Sequence, residues 1–170
     1  MAGEESGAES TPVAGETGGP RSPVDTRLLL DVMLGKLATY LRMAGYDAAY
    51  ALDRGIEADD RLLDLADAED RLLVTRDARL AGQADGVLLE SRDVTEQLRE
   101  LAGAEFALGL SEPARCSECN AELVTVESGA ETPGYAPDVG ETDVWQCPAC
   151  GRHFWKGSHW DDVEVTLSEL

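Results

Sequence analysis

Apolar and polar positions follow two alternating patterns between residues 27 and 103. Runs of consecutive apolar residues, typical of buried strands, alternate with segments whose apolar residues have the spacing of a helix. The predicted strands are RLLLD (27–31), YDAAY (46–50), RLLVT (71–75) and GVLLE (86–90), and the predicted helices lie within 32–45, 56–70, 78–82 and 93–103. Strands that alternate with helices predict an α/β fold, with a mostly parallel sheet covered by helices on both faces.

The pattern changes on both sides of this region. Residues 1–23 are rich in Gly, Glu, Ser, Thr and Pro and are predicted to be a disordered acidic tail. All four cysteines, all three tryptophans and both histidines follow Pro113. We therefore expect an α/β domain at 24–111, a small module at 112–162 and a C-terminal tail at 163–170.

The small module contains two C-x2-C pairs, CSEC and CPAC, a spacing typical of a zinc ribbon. The predicted zinc ligands are Cys116, Cys119, Cys147 and Cys150. Four thiolates leave no open coordination position, so the zinc would be structural. Asn120 and Gly151 follow the two pairs and suit a left-handed backbone. Two disulfides or a redox pair are the alternatives.

The stretch HFWKGSHW follows the second cysteine pair. Trp155 and Trp160 could stack on nucleic-acid bases, with Lys156 and Arg152 against phosphate. The alternative is that the aromatic side chains form the core of the ribbon itself.

Aspartates follow every predicted strand of the sheet. Asp31 and Asp77 come after the first and third strands, Asp59 and Asp60 open the helix after the second, and Asp93 opens the helix after the fourth. Each alone could be a helix N-cap. Ligands of open parallel sheets bind at the carboxyl ends of the strands, where these carboxylates would meet. Such a cluster suits Mg²⁺ or Mn²⁺ and predicts phosphodiester hydrolysis.

The charge of the chain is extreme, with 34 acidic against 14 basic residues and a formal net charge of −20. Lysine occurs only at positions 36 and 156. Self-repulsion of this size is relieved in molar salt, so adaptation to a salt-rich cytoplasm is predicted; a basic partner is the alternative. The acidity counts against a nucleic-acid partner at low salt.

Four stretches together carry a family resemblance: LLLDVMLGKLATYLRMAGYDAAY, DDRLLDLA, RLLVTRDARL and the C-x2-C pairs ending in CPACGRHFWKGSHW. In this order they resemble the Mut-seven C-terminal RNase domain family. The resemblance implies a PIN-like three-layer sandwich followed by a zinc ribbon. It also implies a Mg²⁺- or Mn²⁺-dependent ribonuclease of RNA processing or decay, with RNA as partner.

The resemblance also assigns residues. Asp31, Asp59 and Asp77 match the acidic positions that would bind the catalytic metal, with Asp60 as the neighbouring alternative to Asp59 and Asp93 as a fourth acid. The basic positions, which could contact phosphate, are Lys36, Arg42 and Arg76.

Three other functions remain open at the level of the sequence. A phosphoacceptor receiver domain would need a lysine after a fifth strand, and neither lysine stands there. A non-catalytic RNA- or ribosome-binding adaptor and a PIN-type toxin are the other two. No run of eighteen apolar residues and no signal-peptide pattern occurs, so a cytoplasmic protein without a membrane partner is expected. A homodimer is left open.

Overall fold

A four-stranded parallel sheet forms the centre of the molecule, whose computed structural model describes residues 21–170. The strands are β1 (Arg27–Leu30), β2 (Asp47–Tyr50), β3 (Leu72–Thr75) and β4 (Val87–Leu88), in the order β2-β1-β3-β4. This sheet confirms the predicted α/β fold. β1 and β3 are neighbours, with Leu30 opposite Val74.

Helices cover both faces of the sheet. They are α1 (Gly35–Met43), α2 (Asp59–Ala68), α3 (Ala78–Ala84) and α4 (Val94–Gly103), with a 3₁₀ turn at Ala51–Arg54. Because successive side chains of a strand point to opposite faces, Leu28 and Leu30 pack with α1 and α4, whereas Leu29 packs with α2 and α3. None of the helices described between residues 21 and 170 is long and apolar enough to cross a membrane.

Two predicted boundaries differ from the structure. The N–H of Leu34 donates to the carbonyl of Asp31, so the chain makes a turn after β1 and the helix begins at Gly35 instead of near residue 32. This turn leaves Met33 47% exposed, although its spacing predicts an apolar face. β4 is shorter than the predicted strand at 86–90.

The second module has a three-stranded antiparallel sheet of its own. Its strands are β5 (Val124–Thr125), β6 (Trp145–Gln146) and β7 (His153–Phe154), with β6 in the middle. The first cysteine pair precedes β5 and the second lies between β6 and β7, an arrangement consistent with the predicted zinc ribbon.

Residues 1–20 of the predicted N-terminal tail lie outside the described residues. The last residues of that tail, 21–23, belong to the fold. The N–H of Arg21 donates to the carbonyl of Glu105 at 2.6 Å, and its carbonyl accepts from Ala107 at 2.7 Å. The hydroxyl of Tyr46 also donates to the Arg21 carbonyl. Residues 21–23 are therefore not a free tail.

The predicted C-terminal tail at 163–170 is also wrong, because helix α5 (Ser158–Ser168) runs through it. Val163 and Leu167 are buried in the same core cluster as α1 and α4. Their spacing of four residues places them on one helix face, which covers the α/β core after the chain has passed through the ribbon.

Candidate active site and metal centre

Asp31 is a nearly buried carboxylate at the carboxyl end of β1, with 4% of its surface exposed. Its Oδ1 accepts from the N–H of Val32 at 2.7 Å, and its Oδ2 accepts from the hydroxyl of Thr75 at 2.6 Å. No ion pair among residues 21–170 involves Asp31. Two neutral donors therefore hold this carboxylate without an opposite charge.

Thr75 joins the two acids at the ends of β1 and β3. It is completely buried; its hydroxyl donates to Asp31 and accepts from the N–H of Asp77 at 3.0 Å. This contact follows from the strand register, because Leu30 lies opposite Val74 and the next residues are Asp31 and Thr75. The sequence interpretation missed Thr75, although a threonine that ends an apolar strand two residues before Asp77 is a detectable signal.

Asp77 is the N-cap of α3, and only one of its two carboxylate oxygens takes part in the capping. Its Oδ1 accepts from the N–H groups of Arg79 and Leu80 at 2.9 and 3.1 Å. Its Oδ2 has no hydrogen-bond partner among residues 21–170. The capping interpretation and the ligand interpretation therefore use different oxygens of the same carboxylate.

The other predicted acids lie less close together. Asp59, which is partly buried, pairs through its Oδ2 with Nη2 of Arg79 at 2.8 Å, whereas Asp60 is exposed and accepts from its neighbour Arg61. Asp93 is exposed and caps α4. In the described part of the chain no three carboxylates bring their oxygens within 4.8 Å of one another. The structure therefore connects Asp31 with Asp77, and ties Asp59 to α3 through Arg79.

Two of the three basic residues from the family motifs lie at this edge. Lys36 is exposed in the first turn of α1, and Arg76 lies between Thr75 and Asp77. The Nε of Arg76 is buried and has no hydrogen-bond partner among the described residues. Both remain candidates for contact with phosphate.

Arg42 has a structural role, and the prediction that it contacts phosphate is corrected. Its side chain is 4% exposed. Its Nε donates to the carbonyl of Ala48 at 2.9 Å, and its Nη1 donates to the carbonyls of Ser117 and Glu118, each at 3.2 Å. The guanidinium thus links α1, β2 and the first cysteine loop.

Asn120 forms the second half of this link. Its Oδ1 accepts from the N–H of Ala48 at 2.9 Å, and its Nδ2 donates to Asp47 at 2.7 Å. Burial opposes ionisation of Asp47, but hydrogen bonds from Arg71 and Asn120 outweigh it and lower the pKa of this carboxyl. The first cysteine loop is therefore bound to the edge strand β2.

The four predicted cysteines form one cluster, with all Sγ atoms within 4.8 Å of one another. Sγ of Cys116 lies 3.7 Å from that of Cys150, and Sγ of Cys119 lies 3.4 Å from that of Cys147. A tetrahedral zinc ion with Zn–S bonds of ~2.3 Å would separate its sulfurs by about 3.8 Å. The cluster can therefore hold zinc, and no disulfide connects these cysteines.

The backbone of the two cysteine loops has the predicted form. Asn120 and Gly151 have φ angles of 73° and 81°, in the left-handed region. Burial raises the pKa of the Cys116 thiol to about 12. For Cys147 burial also favours the neutral thiol, but hydrogen bonds, first among them one from the Cys150 N–H, outweigh it and lower the pKa to about 7. Binding of a metal would release protons from this cluster.

The two tryptophans predicted to stack on bases differ in exposure. Trp160 is 7% exposed, so little of its indole surface is open for stacking on a base, as the alternative interpretation of a core aromatic predicts. Trp155 is only partly buried. Lys156 is exposed, with its Nζ 5.8 Å from the ring centre of Trp160. Trp155 and Lys156 remain candidates for contact with nucleic acid.

The molecule thus combines a parallel α/β sheet, acids at the carboxyl edge of that sheet and a four-cysteine ribbon. The family model described as "Mut7-C RNAse domain" matches residues 26–167, nearly the whole chain. The chain belongs to this family, which suggests a ribonuclease-type function. No curated protein and no solved structure matches the chain.

Proposed function

We propose that this protein is a ribonuclease that hydrolyses RNA phosphodiester bonds at the edge formed by Asp31 and Asp77, with Mg²⁺ or Mn²⁺ bound. The observation that carries the proposal is the Asp31 carboxylate, which is 4% exposed and has no ion pair among residues 21–170. Burying a carboxylate without an opposite charge nearby is energetically costly, and a bound cation would supply the opposite charge.

The donor set suits a hard divalent cation, because it consists of carboxylate oxygens. Asp31 and the Oδ2 of Asp77 would hold the ion. Asp59 would be the third acid, and its carboxylate would then have to leave its ion pair with Arg79 and bind the metal. When bound, the ion supplies an activated water and stabilises the leaving oxygen.

The residues of the chain itself position the acids and the RNA. Thr75 fixes the orientation of Asp31 by donating to its Oδ2. Lys36 and Arg76 would contact the RNA backbone beside the acids. The four cysteines would hold a structural zinc ion that keeps the ribbon folded.

Asp77→Asn is the sharpest test of this proposal. An asparagine retains the oxygen that caps α3 and replaces the unpartnered Oδ2 by an amide, so folding should be preserved. Purified protein is incubated with structured and unstructured RNAs in molar KCl, with Mn²⁺ or with chelator. The wild type should cleave RNA with Mn²⁺ only, and Mn²⁺ should raise its melting temperature.

Asp77→Asn should lose both the cleavage and the Mn²⁺-induced stabilisation. Asp67→Asn is the matched control, because it removes one exposed carboxylate from the far end of α2. Cleavage by Asp77→Asn at the wild-type rate would refute the proposed site.

A further inference from the structure

A cavity of about 320 Å³ lies between α1, the ribbon and the beginning of α5. Thr39 and Met43 of α1 form one wall, and Tyr135, Arg152 and Trp155 belong to the ribbon side. Its volume is at the lower end of the ~300–1,000 Å³ typical of small-molecule sites. A cavity of this size accommodates a single planar ring system more readily than a folded segment of a polymer. None of the acids of the sheet edge lines the cavity.

The ribbon wall is an aromatic surface. The rings of Tyr135 and Trp155 lie 6.2 Å apart, tilted by 33°, and Tyr135 is 56% exposed. The hydroxyl of Tyr135 accepts from the N–H of His153, which fixes the loop that carries it against β7. The Nδ1 of His153, which lines the cavity, is buried without a partner among the described residues. The wall thus presents the ring faces of Tyr135 and Trp155.

The charge at the cavity is opposite to that of the molecule. The chain carries a net charge of −20, yet the lining includes two arginines and both histidines against one acid, Glu118. Arg152 is exposed and takes part in no ion pair among residues 21–170. Lys156, one of only two lysines, follows Arg152 by four residues and comes directly after Trp155. Of the two lining arginines, Arg115 lies 3.9 Å from Asp47, so Arg152 supplies the positive charge beside the aromatic faces. This combination suits a nucleotide, whose base is planar and whose phosphate is anionic.

Helix α1 connects this cavity with the acidic edge. Lys36, Thr39 and Met43 have the spacing i, i+3, i+7 and therefore share one face of α1. Lys36 lies in the first turn of α1, which begins four residues after Asp31, and Met43 lies about 10 Å further along the helix axis. An extended strand that follows this face would run from the first turn of α1 to the cavity, which Thr39 and Met43 line.

We propose that this cavity binds one unpaired nucleobase of a single-stranded RNA, with the indole of Trp155 as the stacking face and Arg152 as the contact for the adjacent phosphate. The proposal rests on RNA being the substrate of the proposed ribonuclease. It adds to that function a site for a base away from the bond that is cleaved, which would favour unpaired over double-stranded RNA.

The test measures binding of a single-stranded RNA oligomer in chelator and molar KCl, where no cleavage occurs. Trp155→Ala should weaken binding roughly 5- to 150-fold, the range of base–aromatic stacking. A ribose-phosphate oligomer without bases should bind the wild type more weakly than the RNA does. It should bind the wild type and Trp155→Ala with the same affinity. Equal binding of the RNA by the wild type and Trp155→Ala would overturn the proposal. It would favour a protein partner as the ligand of the aromatic wall instead.

Arg152→Gln provides a second measurement on a side chain whose loss leaves the fold intact, because it is exposed. It should weaken binding by an amount that shrinks as KCl rises, since phosphate contacts are salt-dependent and stacking is much less so. Arg99→Ala removes the same charge from the exposed face of α4 and should leave the affinity unchanged. Zinc content verifies that each variant has a folded ribbon. An unchanged affinity in Arg152→Gln at every salt concentration would remove Arg152 from the site.

The two proposals fail separately. RNA cleavage by the wild type with unchanged binding by Trp155→Ala would refute the cavity and leave the ribonuclease. Loss of base-dependent binding in Trp155→Ala, in a protein that cleaves no RNA with Mn²⁺, would leave the cavity and refute the ribonuclease.

Discussion

The hydroxyl of Thr75 determines how the two acids at the sheet edge are arranged. The sequence predicts both Asp31 and Asp77, because each follows a short apolar run that reads as a buried strand. It does not give the order of the strands or their register, and the contact between Asp31 and Thr75 depends on β1 and β3 being neighbours. The acids were therefore predictable and the group between them was not.

Thr75→Val should destabilise the protein by about 1–3 kcal/mol, because it leaves an oxygen of Asp31 and the N–H of Asp77 without their partner in a buried place. Urea unfolding in chelator and molar KCl measures the change. Thr75→Ser keeps the hydroxyl and should lose less. A valine variant as stable as the wild type would mean that the hydrogen bonds contribute nothing net.

Arg42 illustrates a different limit of the sequence. Its position in a family motif predicts a contact with phosphate. Its guanidinium instead donates hydrogen bonds to carbonyls of β2 and of the first cysteine loop. Those carbonyls stand up to 76 residues away in the chain. No local pattern reports a contact of that range.

The ends of the helices show which backbone features the sequence does and does not reveal. Gly45 ends α1 in the left-handed conformation, which glycine commonly adopts just after a helix, and the N–H of Tyr46 donates to the carbonyl of Leu41. The same conformation after α2, α3 and α4 is adopted by acidic residues: Asp70, Asp85 and Glu105. Aspartate adopts this conformation more readily than most residues, whereas glutamate does not, and a negative charge is unfavourable at the negative end of a helix. The helix end at Glu105 is therefore the one that propensity does not predict.

Glu105→Gly should therefore stabilise the protein, by about 0.5–1 kcal/mol, because glycine adopts the left-handed conformation without steric cost. The hydrogen bonds of this turn use only backbone atoms and should persist. Melting and urea unfolding in molar KCl check the change. Glu105→Ala removes the charge and keeps the strain, so it should remain near the wild type; equal gains in both variants would assign the effect to charge instead.

Among residues 21–170, two sets of contacts in particular join the ribbon to the α/β core. One is the bonding of Arg42 and Asn120 across β2 and the first cysteine loop, and the other is α5, which buries Val163 and Leu167 in the core. The change of composition near residue 112 predicts where the ribbon begins. It says nothing of these connections, which depend on tertiary packing.

Removal of metal should consequently affect more than the ribbon. Cys119→Ser, or a chelator of zinc, should increase hydrogen exchange at the N–H of Ala48, whose acceptor is the side chain of Asn120 next to Cys119. The N–H of Leu73, in the central strand β3, serves as the internal reference. Faster exchange confined to residues 113–155 would show that the ribbon loosens without disturbing β2.

The net charge of −20 predicts that stability depends on salt. The melting temperature should rise as KCl goes from ~0.1 M to molar levels, because the screening length falls from ~10 Å to roughly 3 Å. Replacing several exposed acids by their amides should flatten this dependence. A melting temperature insensitive to KCl in the wild type would contradict salt adaptation and favour a basic partner.

The return of α5 to the core also has a consequence for synthesis. The core side chains that α5 covers belong to elements that are complete by residue 106, yet their cover is translated only after the whole ribbon. The nascent α/β domain would emerge with an apolar surface that its own chain cannot yet bury. Transiently exposed apolar surface promotes aggregation, so the yield of folded protein should fall when translation of the ribbon segment is slowed.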